Sequence, residues 1–338
     1  MRYYIYSLKF LTPVHFGNTA DGGTLENVAL SFSSDSFFSA LCNEAVIAPE
    51  FLQSFIMAIK EGAIRLSSLF PYLDREEETG QWEYYVPRPI RMEARPVVLR
   101  SFQETKQEAT RRKAMKKVAY VRASFLAEAK EKHTEDEMLD LPEFGAFETL
   151  GKVNRRVDPG LPYFVSTYRF APQAGLYFIA AFDETADALE EPFDALMEQL
   201  GYSGIGGERS SGCGKFELAD DKEELYAGEC IYDDTEAIMT MLTAEKADYY
   251  MNVSSLVPTA EEVASMAEGT YKLRKRSGFV SSPQLTNFVK RNSYYSILEG
   301  SCFTQPLSGK VLEISVPGLS HPVYRNGQGL CMGVKRHD

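Results

Sequence analysis

The first ten residues alternate as a strand does. Tyr4, Tyr6, Leu8 and Phe10 fall on one side and Tyr3, Ile5, Ser7 and Lys9 on the other, which predicts a strand running to Thr12-Pro13. After a turn-rich stretch at residues 17–23, Ser34 or Asp35 is placed to N-cap a helix whose Phe37, Phe38, Leu41 and Ala45 share one face. Residues 51–59 read as a second helix and 63–69 as a second strand. Leu161–Phe170 and residues 174–183 read as strands joined by Ala171-Pro172-Gln173, a hairpin by its spacing. Residues 186–200 have helical periodicity, with Phe193, Leu196, Met197 and Leu200 on one side. A short strand is predicted at Lys215-Phe216-Glu217-Leu218.

Residues 84–156 do not continue this pattern. They open as extended chain punctuated by Pro87, Pro89 and Pro96 and carrying Arg88, Arg91, Arg95 and Arg100, then become basic and helical to about Lys132. This predicts an insertion. Beyond residue 220 the pattern restarts, with strands over 249–257, 271–280, 294–299 and 310–316 and a short helix over 260–266. Strand, helix, strand at the opening spacing begins a ferredoxin-like βαββαβ unit. The expected fold is α+β, with two ferredoxin-like (RRM-like) units. Residues 1–219 form the first, with a glycine-rich loop at 204–214 and a mostly helical, basic insertion at 84–156. Residues 220–338 form a β-rich second unit.

Composition narrows the functional classes. At 338 residues, 44% hydrophobic and 25% charged, the chain suits two globular domains, and no run approaches the roughly 18 apolar residues of a membrane span. The N-terminal strand lacks the apolar stretch and cleavage site of a signal peptide. Five scattered cysteines (Cys42, Cys213, Cys230, Cys302, Cys331) contain no Cys-x-x-Cys pair, which argues against a zinc knuckle and for a reducing cytoplasm. Neither metal nor cofactor is expected. The net charge of −12 opposes nucleic-acid binding, but the charge is segregated. Residues 106–122 hold Lys106, Arg111, Arg112, Lys113, Lys116, Lys117 and Arg122 against Glu108 alone, and by helical spacing Arg112, Lys116 and Tyr120 share a face. In residues 220–236 the balance reverses. The first stretch can hold a phosphate backbone, and the second suits a protein partner.

The sharpest chemical signal is Gly204-Ile205-Gly206-Gly207-Glu208-Arg209-Ser210-Ser211-Gly212-Cys213-Gly214. Five glycines leave N–H groups unhindered beside Arg209, Ser210, Ser211 and Lys215, a concavity suited to an anionic backbone. Spacing alone leaves a flexible surface loop equally open. A Walker A loop would need Lys at Cys213, and a dinucleotide fingerprint would need glycine at Arg209 and a following helix.

The motif Gly-x-Gly-Gly-x-Arg-Ser-Ser-Gly-x-Gly-x-Phe after a helix resembles the glycine-rich loop of the RAMP superfamily of CRISPR proteins. More narrowly, the chain resembles the fourth-subunit family of the type III-A Csm effector complex. Four further segments carry the likeness: Pro13-Val14-His15-Phe16-Gly17, Ser34-Asp35-Ser36-Phe37-Phe38-Ser39-Ala40-Leu41, Lys275-Arg276-Ser277-Gly278-Phe279 and His321-Pro322-Val323-Tyr324-Arg325. Two departures stand out, Glu208 where a basic residue is usual and Ser277 where glycine is common. The resemblance implies a non-catalytic subunit that binds the 5′ tag of the CRISPR RNA, docks the large polymerase-like signalling subunit, contacts a backbone RAMP subunit and meets target RNA indirectly. It also implies a thumb-like hairpin, whose counterpart is residues 152–160 with Arg155 and Arg156.

The expected RNA-binding residues are thus His15, Arg88, Lys116, Lys117, Arg155, Arg156, Gly204, Gly206, Gly207, Arg209, Ser210, Ser211, Gly212 and Gly214, with Lys275, Arg276, Ser277, Gly278, His321, Tyr324 and Arg325. Lys272, Arg274 and Arg276 alternate onto one face of a strand, near Phe279, Tyr294 and Tyr295, where phosphates and stacked bases would fit. The competing reading is a metal-independent endoribonuclease using His15 as general acid or base. Asp35 is read as an N-cap.

Overall fold

Nine consecutive residues, Ala174–Phe182, are all buried, and the rest of the fold is arranged around them. The computed structural model describes residues 1–17, 25–90, 101–127, 142–154, 159–280, 289–314, 316, 318–319 and 321–335. The chain begins with β1 (Arg2–Phe10), α1 (Ser34–Glu44), α2 (Pro49–Glu61), β2 (Ile64–Leu66), β3 (Phe70–Arg75), the single turn α3 (Glu76–Thr79) and β4 (Gln81–Pro87). Next come α4 (Phe102–Met115), β5 (Tyr120–Arg122), α5 (Ala123–Ala127), β6 (Gly145–Asn154), β7 (Leu161–Phe170), β8 (Ala174–Phe182), α6 (Glu190–Ser203), β9 (Phe216–Leu218) and β10 (Glu223–Glu224).

One eight-stranded antiparallel sheet organises these elements in the order β10-β1-β8-β3-β4-β5, with β9 beside β1 and β2 beside β8. On one face Tyr4, Tyr6 and Leu8 of β1 and Leu176, Phe178 and Phe182 of β8 pack with Phe37 and Phe38 of α1, Phe55 of α2 and Phe193 of α6. The other face is also apolar: Ile5, Tyr177, Ile179, Trp82 and Tyr84 line it. A strand buried on both sides has no polar face, so β8 reads as an unbroken apolar run.

The second face is covered by the C-terminal part. It comprises α7 (Asp233–Leu242), β11 (Tyr249–Asn252), β12 (Leu273–Arg276), β13 (Phe279–Val280), β14 (Val289–Lys290), β15 (Tyr294–Ile297), β16 (Cys302–Phe303), β17 (Leu312–Ile314), β18 (Val323–Arg325) and β19 (Cys331–Val334). Ile238 and Met241 of α7, Met251 of β11 and Met332 of β19 close on the sheet. Its strands form the three-stranded sheet β16-β11-β19 and the ribbons β12–β15, β13–β14 and β17–β18.

Four expectations change. β7 does not form a hairpin with β8. It pairs along its whole length with β6, while β8 pairs with β1, β2 and β3. The three-residue turn brings the chain into the sheet at a new level, and the long β6 partner claims the β7 edge. Residues 84–87, assigned to an insertion, belong to the main sheet, because Tyr85 faces one core and Tyr84 and Val86 the other. Pro87 is the last residue of its strand, where a missing N–H is tolerated. The acidic segment is partly internal. Asp234 is fully buried in the first turn of α7 and accepts from the amides of Tyr84 (2.9 Å) and Ser124 (2.8 Å) and from Arg122 Nε (3.0 Å). Tyr120 is half-buried in β5 rather than on the face of α4, which ends at Met115 and buries no residue.

Candidate nucleic-acid interface

The glycine-rich segment is built against the loop after β1. Gly204 ends α6, its amide donating to the Leu200 carbonyl (2.7 Å). The amide of Ile205 donates to Gly214 O (3.0 Å), Gly214 to Pro13 O (2.9 Å) and Gly207 to His15 O (2.8 Å). Gly206 has φ +91°, and a Cβ there would lie 2.8 Å from the His15 carbonyl oxygen. A Cβ on Gly207 would lie 2.7 Å from the His15 ring. These glycines therefore serve close seating on His15. The amides of Ser211, Gly212 and Cys213 are also used internally, and those of Gly206, Glu208, Arg209 and Ser210 are not used this way. The expected row of N–H donors contracts to the segment around Arg209 and Ser210, both exposed.

His15 itself is 7% exposed, with Nδ1 2.7 Å from the Ser166 carbonyl oxygen of β7. Beside it, Glu208 has φ +58°, the one positive-φ residue other than glycine among the described residues. A side chain in the left-handed region costs roughly 1 kcal/mol. Interactions hold it there: Lys152 Nζ of β6 donates to Glu208 Oε2 (2.5 Å) and to Ser211 Oγ (3.2 Å). The Lys152 ammonium holds the Glu208 carboxyl below its ordinary range, and the carboxylate in turn raises Lys152. Glu208 is thus neutralised within the fold, and Arg209 beside it is exposed.

Lys152 comes from the β6–β7 arm, ten residues in each strand and in register from Gly145↔Phe170 to Asn154↔Leu161. Its base is anchored by buried Val165, Thr167, Tyr168 and Phe170, whereas Phe147, Val153, Leu161 and Phe164 are exposed. On one face Val153, Pro162 and Phe164 make a short apolar stripe, separated from Phe147 by the Thr149–Ser166 pair, since paired residues point the same way. Residues 155–158, with the expected Arg155 and Arg156, lie outside the described residues.

A second constellation lies where α1 meets the C-terminal ribbons. Asp35, expected as an N-cap, is in the first turn of α1, which starts after Ser33, and it is 2% exposed. It accepts from Ser33 Oγ (2.7 Å) and Tyr294 Oη (2.9 Å), and its Oδ1 lies 3.3 Å from Arg276 Nη2. Burial pushes the Asp35 carboxyl up, but Arg276, Ser33, Arg325 and Tyr294 outweigh this and hold it below its ordinary value. Arg276 also donates to Ser296 Oγ and Ser255 Oγ (both 3.2 Å). Arg325 donates through Nη1 to Ser39 Oγ. A cavity of about 190 Å³ runs along Phe16, Phe32, Ser33, Ser36, Arg274 and Arg276. Arg274 and Arg276 line it together, as their alternation implied.

The other expected residues are dispersed. Arg88 is half-buried and donates from Nε to Val118 O (3.1 Å), a structural contact. Lys116 and Lys117 are exposed at the end of α4. Lys275 and Ser277 are half-buried, Gly278 has φ +148°, and Ser277 O accepts from Arg291 Nη2 (3.0 Å). His321 is exposed, its Nδ1 3.2 Å from Pro322 O, and Lys60 Nζ sits 4.0 Å over the Tyr324 ring. Sequence reasoning missed Lys152 as the loop's counter-ion and Arg291 altogether. The adjacent cations in Lys290-Arg291 were the only signal for Arg291. Among the described residues no three His, Cys, Asp or Glu side chains are grouped to hold a metal, and no helix is long and apolar enough to cross a membrane.

Residues 245–334 match the CRISPR Csm4 C-terminal domain family. The CRISPR system Cms protein Csm4 of Streptococcus thermophilus is 29% identical over 325 residues, covering 96% of each chain. That of Mycobacterium tuberculosis is 29% identical over 330 residues, covering 95% of this chain and 94% of the relative. In fold, the chain is similar to Csm4 in the crystal structure of a Csm3–Csm4 subcomplex (TM-score 0.63, 17% identity, 99% and 100% covered). It is also similar to Csm4 in a Csm1–Csm4 cassette with cA4 (TM-score 0.55, 19% identity, 98% of each covered). In sequence and in fold, the chain is similar to Csm4 proteins nearly from end to end.

Proposed function

We propose that this chain is the non-catalytic subunit of a type III-A CRISPR effector complex that holds the 5′ tag of the CRISPR RNA. The observation that carries the reading is the convergence of three sequence-distant segments on one site: His15, the Gly206-Gly207 turn seated on it, and the β6–β7 arm tied to the turn through Lys152. The apolar stripe on that arm suits a thumb that inserts beside stacked bases. Similar structures pair Csm4 with Csm3 in a type III-A interference complex and with Csm1 in a cassette, which supports a backbone RAMP and the large signalling subunit as partners here.

We read residues 1–219 as a ferredoxin-like unit. β9 pairs with β1 and the order continues β1-β8-β3, which sets the last strand beside the first and the first beside the third, as βαββαβ requires. For residues 220–338 the support is the β16-β11-β19 sheet with α7 packed beside it. The nuclease alternative draws on His15, but its Nδ1 is engaged by a backbone carbonyl and its ring is packed under Gly207. Co-purification from cells carrying a type III-A locus tests the proposal. The expected result is guide RNA with its tag end protected, together with the large and backbone subunits. Recovery of the complex with the tag equally exposed to nuclease in its presence and absence would refute tag capping. Cleavage of repeat RNA by the purified chain in chelator, abolished by His15→Ala, would establish the nuclease.

A further inference from the structure

At the junction of α1 with the C-terminal ribbons, Arg276 pairs with Asp35 (3.3 Å), Arg291 lies over Tyr294, whose hydroxyl donates to Asp35, and Arg325 donates to Ser39 one turn further along α1. Asp35 faces Arg276, Arg325 and Arg291, and Arg276 and Arg325 spend donors on Asp35, Ser39, Ser255 and Ser296. Arg291 differs. It is 8% exposed, donates only through Nη2 to Ser277 O, and leaves Nε and Nη1 buried without a partner among the described residues. Its guanidinium carbon lies 5.4 Å over the Tyr294 ring. Arg325 likewise has a buried, unpartnered Nε. Burial, then repulsion from Arg325 and Arg276, pushes the Arg291 guanidinium below its ordinary pKa. A buried cation with unmet donors is costly, and folding gains nothing from crowding it with two others.

We propose that Arg276, Arg291 and Arg325 form a built site for one phosphate group of the bound RNA. Guanidinium forks match phosphate oxygens, and one dianionic or monoanionic guest relieves both the mutual repulsion and the unpaired N–H groups. Arg276 lines the adjoining cavity with Ser33 and Ser36, which gives the guest a polar approach. Tyr294, which pairs with Arg276, lies at the cluster beneath the Arg291 guanidinium, whereas the exposed Tyr295 pairs with Lys275 on the opposite face of the ribbon. This inference rests on the RNA-binding reading and names the group that the C-terminal unit grips.

The test is Arg291→Gln, with Arg291→Lys as the charge-retaining control, in the full-length chain and in the assembled complex. Without anions, Arg291→Gln should melt at or above the wild-type temperature, since it removes an unpaired buried charge. Inorganic phosphate should raise the wild-type melting temperature and leave that of Arg291→Gln unmoved. Guide-RNA affinity of the complex should fall about tenfold, with the salt slope reduced by about one, and Arg291→Lys should fall between. In a scan of single methylphosphonate links along the tag, one position should weaken the wild type and not weaken Arg291→Gln further. If only a 5′-terminal phosphate, and no internal link, shows this coupling, the guest is the RNA end rather than a phosphodiester, and the phosphate site still stands. Lower anion-free melting of Arg291→Gln would make Arg291 a structural residue and overturn the inference. So would unchanged RNA affinity with loss of a protein subunit, which marks a partner's acidic side chain. Failure of the wild-type complex to bind guide RNA would instead refute the RNA-binding reading, and the phosphate-dependent melting would still decide the site.

Discussion

The glycine-rich loop and the arginine cluster handle charge in opposite ways. In the loop, Lys152 meets Glu208 at 2.5 Å and the backbone turns on glycines seated against His15, so shape is fixed and the Glu208 charge is cancelled. In the cluster, Arg276 pairs with Asp35 at 3.3 Å while Arg291 and Arg325 add further positive charge within electrostatic reach, so among the described residues positive charge is left over. The loop resembles a mould and the cluster a clamp. On the proposed reading, an acidic protein with charge −12 would hold RNA on such terms, with excess cation concentrated at one phosphate site.

The strongest way to break the comparison is Asp35→Asn, which removes the one carboxylate the cluster has. Losing one partner of a buried pair costs about 3–5 kcal/mol, so the urea midpoint should fall sharply. An unchanged midpoint would mean that Asp35 does not organise the cluster. Gly206→Val should cost about 1–3 kcal/mol through φ +91° and the clash with the His15 carbonyl. It should weaken tag protection while leaving phosphate-dependent melting intact; loss of both would join the two regions into one site. A subtler effect is expected from Glu208→Gln. It frees the half-buried Lys152 ammonium, so RNA affinity should rise a few-fold and the salt slope by about one; no change would mean that the loop does not touch RNA.

Acid pH sharpens the same contrast. Asp35 and Glu208 both have carboxyl pKa values lowered in the folded state, below the ordinary 3.8 and 4.5. Each therefore contributes stability that is present above its ordinary pKa and lost as pH falls through the lowered one. Acid unfolding followed by circular dichroism should flatten measurably in Asp35→Asn and only slightly in Glu208→Gln, whose carboxylate remains in partial contact with water. A larger effect from Glu208 would reverse the ranking of the two regions.

α1, α2, α6 and the strand after the glycine loop were legible because period-two and period-3.6 patterns survive wherever one face is buried, and β1, though Ile5 packs on the second core, kept enough alternation through Ser7 and Lys9 to be read. The same logic failed at β4, where Tyr84, Tyr85 and Val86 are buried on both sides and no alternation remains. It failed at α7, whose acidic first turn reads as a solvated surface until Asp234 is seen capping the backbone of β4 and α5. Pairing of β7 with β6 was invisible for a different reason. A short turn between two apolar strands favours a hairpin locally, and only the sheet decides which edge each strand finds.

By itself the sequence determined which residue types gather in which segments: the glycines that permit close backbone seating, the basic and acidic stretches, and the Arg274/Arg276 alternation that places both on one wall of a cavity. Tertiary structure alone decided what those residues do to one another. Lys152 is 56 positions from Glu208, and Asp35 lies 259 from Tyr294. Electrostatic and hydrogen-bond partnership depends on separation in space and on burial, and neither is written in local periodicity. The packing therefore turned Glu208 from a missing cation into a neutralised turn residue of the loop, and left Arg291 with two buried nitrogens unpartnered among the described residues.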